Sequence, residues 1–118
     1  HSFPTRRSSD LTIMAWAYLL LAGVCEIGWP LGFKLSQQPE YRVVGIAGAI
    51  VSMGISGLLL WMAQREIPIG TTYAVWTGIG GAGTFLIGVM FFGDAATLAR
   101  FLGVALIVGG VVTLKLAH

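Results

Sequence analysis

The stretch that decides the fold of this chain is residues 14–33, MAWAYLLLAGVCEIGWPLGF. It has about the length that an α-helix needs to cross the apolar core of a bilayer, roughly 20 residues. Its single charged residue is Glu26, and Lys34 follows directly after the run. The stretch therefore predicts a transmembrane helix that carries one carboxyl group near the middle of the membrane.

Three further apolar runs follow, at residues 43–62, 69–92 and 99–116. Charged residues lie at or beyond the ends of these runs, and the short connections between them contain turn-forming Pro and Gly. A segment that faces lipid must satisfy its own backbone hydrogen bonds, and no period-2 alternation supports a barrel. The sequence thus predicts an all-α membrane protein with four transmembrane helices in one domain, residues 14–118.

The composition agrees with residence in a membrane. Charged residues make up 10% of the 118 residues, whereas a soluble domain carries about 25%. The net charge of +2 is small, and no basic run lies among aromatic residues, so we expect no nucleic-acid partner. Cys25 is the single cysteine, so it cannot form a disulfide within the chain, and no cluster of His and Cys residues surrounds it in the sequence. We expect neither a metal nor a cofactor, and no enzymatic site.

Residues 1–13, HSFPTRRSSDLTI, are polar and differ in composition from everything after Met14. A signal peptide requires an apolar core that ends at a cleavage site of small residues. No such core follows this segment. We interpret this segment as a non-native leader or scar, with Met14 as the native start, and leave it out of the fold prediction.

Positive residues are nearly balanced between the two sides of the membrane. Without residues 1–13, one side holds Arg65 and Lys115, and the other holds Lys34, Arg42 and Arg100. Because so little positive-inside bias fixes the orientation, the chain could insert both ways and two opposite copies could pair. Four short helices also enclose little of a polar pathway, which favours an oligomer.

Two stripes of small residues are candidates for helix contacts. They comprise Gly48, Ser52 and Ser56 in the second run and Ala105 and Gly109 in the fourth, each spaced by four residues. Packing within one chain and contact between two copies both remain open for each stripe.

Glu26 is the residue best suited to carry chemistry. A carboxylate at this depth costs on the order of 2.5–3.5 kcal/mol, and such residues usually face a cavity or a partner. Because removal from water disfavours the charged form, the group can hold a proton, release it, or exchange it for a cation. The alternative is a carboxyl that only joins helices by a hydrogen bond.

Three residues share the face of Glu26 at helical spacing: Gly23, Trp29 and Pro30. Gly23 leaves room for a ligand, and Trp29 offers an aromatic face to a cation. Pro30 removes one helical hydrogen bond, so we expect a bend beside the carboxyl.

The spans contain further polar and aromatic residues. Tyr73 and Trp76 form an aromatic pair on the third span, and the Ser52 and Ser56 hydroxyls could donate hydrogen bonds to the carboxylate. Aromatic residues near the span ends are interpreted as interfacial anchors; these are Trp16, Tyr18 and Trp61. Residues 78–83, GIGGAG, formally match a dinucleotide motif, but that site needs a preceding strand. We interpret them as a point of close packing or bending.

From Met14 onward the sequence resembles the small multidrug resistance family of bacterial inner-membrane exporters. Residues 68–76, PIGTTYAVW, together with the glutamate of the first span carry this resemblance. Residues 26–29, EIGW, followed by Lys34, and residues 76–80, WTGIG, resemble the guanidinium exporter subtype.

The resemblance implies a multi-pass protein that forms an antiparallel, dual-topology homodimer and exchanges protons for a substrate cation. It implies that both bind at Glu26 and that Ser56 hydrogen-bonds to it. The remaining residues implied at the site are Gly23, Trp29, Tyr73 and Trp76.

Two positions depart from the family pattern. Pro30 stands where Ala is commoner, and Gly57 replaces a bulky aromatic residue, which widens the pocket or its side portal. The predicted function is a proton-coupled antiporter that exports guanidinium or small guanidinyl cations. The alternatives are a broader exporter of quaternary ammonium and hydrophobic cations, and a non-transporting membrane subunit.

Overall fold

The computed structural model describes residues 5–117, with side chains described from Asp10 onward. This part of the chain contains helices and no strand, which confirms the all-α prediction. The helices are α1 (Thr5–Glu26), α2 (Gly28–Ser36), α3 (Arg42–Ala63), α4 (Ile69–Phe91) and α5 (Leu98–Ala117), with a 3-10 turn at Pro39–Tyr41.

Within the described part of the chain, four helical segments are long and apolar enough to cross a membrane. They are Asp10–Ser36, Pro39–Ala63, Ile69–Phe91 and Leu98–Ala117. The prediction of four transmembrane helices is therefore confirmed, with α1 and α2 together forming the first span.

Helix α1 begins at Thr5 and continues without interruption past Met14. The polar segment 1–13 is thus helical from Thr5 onward and continuous with the first span. Residues 1–4 lie outside the described residues. The origin of the polar segment as a leader or scar stays a prediction.

The first span is interrupted at Ile27, directly after Glu26. Pro30 has no N–H, so the Glu26 carbonyl loses the donor that a continuous helix would supply four residues later. At the same point the Ile27 N–H donates to the Val24 carbonyl at 3.1 Å, three residues back and not the four of a regular α-helix. Ile27 keeps helical dihedral angles, φ −65° and ψ −29°, so the span tightens locally and does not turn.

The buried core lies at one end of the helices. It joins the middle of α1, the end of α3, the α3–α4 connection and the first half of α4 through Ala15, Trp16, Leu19, Ala63, Ile67 and Val75. The Lys115 ammonium lies 5.0 Å above the Trp16 ring at this end, and Arg65 lies 4.3 Å above the Trp61 ring. Trp16 is buried, so it packs in the core, whereas Trp61 is exposed and fits the predicted interfacial role.

Helices α2 and α3 pack closely because small residues face each other. A Cβ atom at Gly32 would lie 2.6 Å from the Gly45 carbonyl oxygen, so only glycine permits this approach. Gly28 similarly lies against Ser52. Gly48, by contrast, is exposed with nothing near its Cβ position, so it does not share the contact face with Ser52.

Helix α5 lies at the periphery and has no fully buried residue. It contacts α4 through Gly78, where a Cβ atom would lie 2.6 Å from a methyl carbon of Val111. An edge-to-face pair of Phe85 and Phe101, with centroids 5.4 Å apart, adds a second contact. The opposite face of α5 is therefore open to lipid or to a partner.

Candidate functional site

The Glu26 side chain lies against the backbone of α4 at Gly80. A Cβ atom at Gly80 would lie 2.5 Å from Glu26 Cγ and 3.1 Å from Glu26 Cβ. The carboxyl is half-buried, and no hydrogen bond or ion pair joins it to another residue in the described part of the chain. Glu26, the single charged residue of the apolar run 14–33, is thus packed in place and bonded to no other described residue.

Gly23 serves the approach of two helices in this structure. It is buried, and a Cβ atom there would lie 2.8 Å from Ile79 Cβ on α4. The space that the missing side chain leaves is therefore filled by Ile79, whereas the sequence favoured room for a ligand. Gly23 thus helps to bring α4 to the carboxyl.

Ser56 links three helices through a chain of two hydrogen bonds. Its hydroxyl donates to the Ala22 carbonyl on α1 at 2.7 Å and accepts from Trp76 Nε1 on α4 at 2.7 Å. Because the only hydroxyl proton is used on Ala22, Ser56 does not donate to Glu26 in this arrangement. Ala22 precedes Glu26 by one helical turn. The two hydrogen bonds therefore end beside the Glu26 carboxyl and do not include it.

The candidate aromatic residues form two separate pairs. Tyr73 lies beside Trp76 on α4 with ring centroids 5.7 Å apart. Trp29 lies edge-to-face with Phe33 on α2 at 5.6 Å. Tyr73 is 59% exposed, so it faces outward from this single chain.

The two pairs lie at different heights along the first span. Trp76 precedes Gly80 by four residues, so its pair lies about one helical turn, or about 5.4 Å, to one side of Glu26. Trp29 follows Glu26 by three residues and lies to the other side. The two aromatic pairs are therefore offset from Glu26 in opposite directions along the membrane normal.

The glycine-rich segment of α4 makes three different contacts. Gly78 faces α5, Gly80 faces Glu26, and Gly83 faces the side chain of Ile27. Helix α4 continues unbroken through all three, so close packing and not bending explains the motif. The segment lies inside a helix, which agrees with rejecting the dinucleotide interpretation.

Gly80 lies against Glu26 at the candidate site, and the sequence alone did not identify it. The motif containing it was recognised, but the register between two spans cannot be deduced from one sequence. No group of three His, Cys, Asp or Glu side chains close enough to hold a metal occurs within residues 10–117.

Comparison with known proteins identifies the family. Residues 14–107 match the family described as Small Multidrug Resistance protein. A guanidinium exporter of Yersinia pseudotuberculosis is 43% identical over 104 residues, which cover 88% of this chain and 99% of that protein. Guanidinium exporters of Proteus vulgaris and Citrobacter freundii are each 41% identical over 107 residues, covering 88% of this chain and 99% and 98% of those proteins.

The four membrane-length helices define a small multi-pass membrane protein, and the family match places it among membrane transporters. The chain belongs to the small multidrug resistance family, as its motifs predicted. It is a multi-pass protein of the bacterial inner membrane, and its relatives are named as exporters, which are transporters and not enzymes.

Proposed function

We propose that this chain is a proton-coupled antiporter that exports guanidinium or small guanidinyl cations across the inner membrane. The observation that carries the proposal is the Glu26 carboxyl, which lies inside a membrane span and is bonded to no other described residue. A carboxyl without a fixed partner can exchange a proton for a cation. The relatives named guanidinium exporters support this choice of cation.

The chemistry of guanidinium suits such a site. The ion is planar, delocalised and weakly hydrated, and it binds a carboxylate through two parallel N–H···O bonds. Trp29 and Trp76 supply aromatic faces on either side of Glu26, which attract a cation removed from water. Because a protonated carboxyl has lost its charge and one acceptor, proton and guanidinium compete for the same group.

A second copy in the opposite orientation completes the proposed transporter. One face of α5 is exposed and carries the small residues Ala105 and Gly109, which permit close helix approach. The nearly balanced positive charges permit both orientations in the membrane. An antiparallel pair brings two Glu26 carboxyls to one pathway, enough to bond most N–H groups of one guanidinium.

The decisive experiment measures proton movement driven by a guanidinium gradient in proteoliposomes that contain the full chain. We expect exchange with the native protein and its abolition in Glu26→Gln, since the amide keeps the shape of the side chain but cannot be deprotonated. Cross-linking should show that the variant still forms dimers.

Glu66→Gln is the matched control for that experiment. Glu66 is an exposed carboxylate of the α3–α4 connection, so its neutralisation is expected to leave exchange unchanged. Coupled exchange retained in Glu26→Gln would refute the proposed mechanism. Absence of flux with every cation tested, together with normal folding of Glu26→Gln, would favour the non-transporting subunit.

A broader exporter of quaternary ammonium cations is the second candidate, and Gly57 favours it. Gly57 is exposed beside Ser56, with nothing within 4 Å of its Cβ position, so the protein has open space where a bulky cation could enter. The same proteoliposomes distinguish the two candidates. Proton flux driven by tetraethylammonium but not by guanidinium would establish the broader exporter.

A further inference from the structure

A cleft of about 200 Å³ lies between α2 and α4 beyond the Glu26 carboxyl. Pro30 and Thr84 line its inner part, and Lys34 and Asp94 line its outer part. Pro30 follows Glu26 by four residues and Thr84 follows Gly80 by four, so the cleft starts about one helical turn, or about 5.4 Å, from the carboxyl. It therefore extends from the proposed site toward one surface of the membrane.

The end of α4 holds the Asp94 carboxylate in the wall of this cleft. The chain reverses at Gly93, whose φ of +71° lies in the left-handed region that favours glycine. The Asp94 N–H then donates to the Gly88 carbonyl at 3.1 Å. The carboxylate itself lies on the backbone of Gly88, where any Cβ atom would collide with Asp94 Oδ2.

This position is electrostatically suited to a cation. The carbonyl groups at the C-terminal end of a helix carry partial negative charge, which repels a carboxylate and attracts a positive ion. Asp94 adds a full negative charge at that end of α4. Lys34 lies in the same cleft, but no ion pair joins Lys34 and Asp94, and the Thr84 hydroxyl bonds to no other residue among those described.

We propose that this cleft is a second, outer site for the cation that Glu26 binds, with Asp94 and Thr84 as its ligands. The Asp94 carboxylate accepts two N–H bonds from a guanidinium-class ion, and the Thr84 hydroxyl accepts a third. Lys34 is a tethered cation that the substrate displaces from the same negative region. The inference rests on the proposed function, because it takes guanidinium as the transported ion.

The test measures the KM and kcat of guanidinium-driven proton flux for full-length variants in proteoliposomes at low salt. Asp94→Asn is expected to raise KM roughly 2- to 5-fold, the range for an exposed charge pair, with kcat unchanged. Lys34→Gln is expected to lower KM, since it removes the competing cation. A purely structural role of the cleft would not give opposite signs at these two positions.

Two further variants control the interpretation. Thr84→Val keeps the shape of the side chain and is expected to raise KM for guanidinium but not for tetramethylammonium, which has no N–H to donate. Glu40→Gln, an exposed carboxylate of the α2–α3 connection, is expected to leave KM unchanged.

The outcomes separate the two proposals. If native protein exchanges guanidinium while Asp94→Asn and Thr84→Val keep the native KM, the outer site is overturned and the proposed function stands. If native protein shows no guanidinium-driven flux, the proposed function fails and the outer site fails with it.

Discussion

At the scale of single residues, the contact between Glu26 and Gly80 fixes where the carboxyl can lie. The missing side chain at Gly80 allows Glu26 Cγ to approach the backbone of α4. Any larger residue at Gly80 would displace the Glu26 carboxyl, because the added Cβ would meet Glu26 Cγ and Cβ. These atoms are close to the α1 backbone and cannot move aside as easily as the end of a flexible side chain. Gly80 therefore positions the proposed proton and cation site.

Gly80→Ala is expected to weaken guanidinium exchange by raising its KM. Each 1.4 kcal/mol of lost binding free energy corresponds to a rise in KM of about 10-fold. The added Cβ would lie 2.5 Å from Glu26 Cγ, so the side chain must move. Proton flux in proteoliposomes measures the effect.

Gly81→Ala is the matched control for Gly80→Ala. It makes the same exchange one residue further along α4, where nothing lies within 4 Å of the Cβ position. Both variants gain helix propensity, so a loss confined to Gly80→Ala reports the contact alone. Equal loss in both variants would contradict the positioning role.

The sequence was sufficient to select Glu26 as the candidate site residue, but not to predict which residues contact one another in the spans. Glu26 is conspicuous because it is charged within an apolar run, and charge is visible in one sequence. The two hydrogen bonds of Ser56 depend on how three helices are rotated about their axes, which no single span encodes. The rotation of α1 and α4 about their axes likewise determines that Ile79 fills the space beside Gly23.

At the scale of elements, the interrupted first span is the feature nearest to the site. The break follows from one residue, since Pro30 removes the hydrogen bond to the Glu26 carbonyl. Sequence alone predicts this because the missing N–H is a property of proline. Sequence did not reveal that Ile27 keeps helical dihedral angles, nor that Gly28 beside it packs against Ser52.

Pro30→Ala is expected to raise the free energy of unfolding by about 1–3 kcal/mol. Alanine supplies the missing N–H and removes the clash of the proline ring with the preceding turn. Thermal unfolding of the purified protein in detergent measures the change. Pro39→Ala lies at the start of a 3-10 turn, where no helical bond is missing, and is expected not to stabilise. An unchanged transition for Pro30→Ala would contradict the argument.

At the scale of the whole molecule, α5 stands apart from the other helices. Its open face carries Ala105 and Gly109. Because successive residues of a helix are rotated by about 100°, both point away from Val111, which contacts α4. The four spans themselves were predictable, because length and hydropathy suffice to identify them. The peripheral place of α5 was not, since all four runs are similarly apolar.

Gly109→Leu is expected to reduce the dimer fraction, because the added side chain separates helices that pair through small residues. Gly103→Leu is the matched control, since Gly103 is equally exposed but lies on a different face of α5. Cross-linking in liposomes at a series of protein-to-lipid ratios measures both variants. Equal dimer fractions for the native protein and Gly109→Leu would exclude this face from the interface.

If two copies pair through the open face of α5, as proposed, export depends on how abundant the protein is. A transporter assembled from two identical chains works only after two copies have met by diffusion in the same bilayer. At low copy number the paired fraction grows in proportion to the amount of protein, so export capacity rises with the square of expression. Doubling a small supply of the chain would then give about four times the export capacity, until nearly all copies are paired.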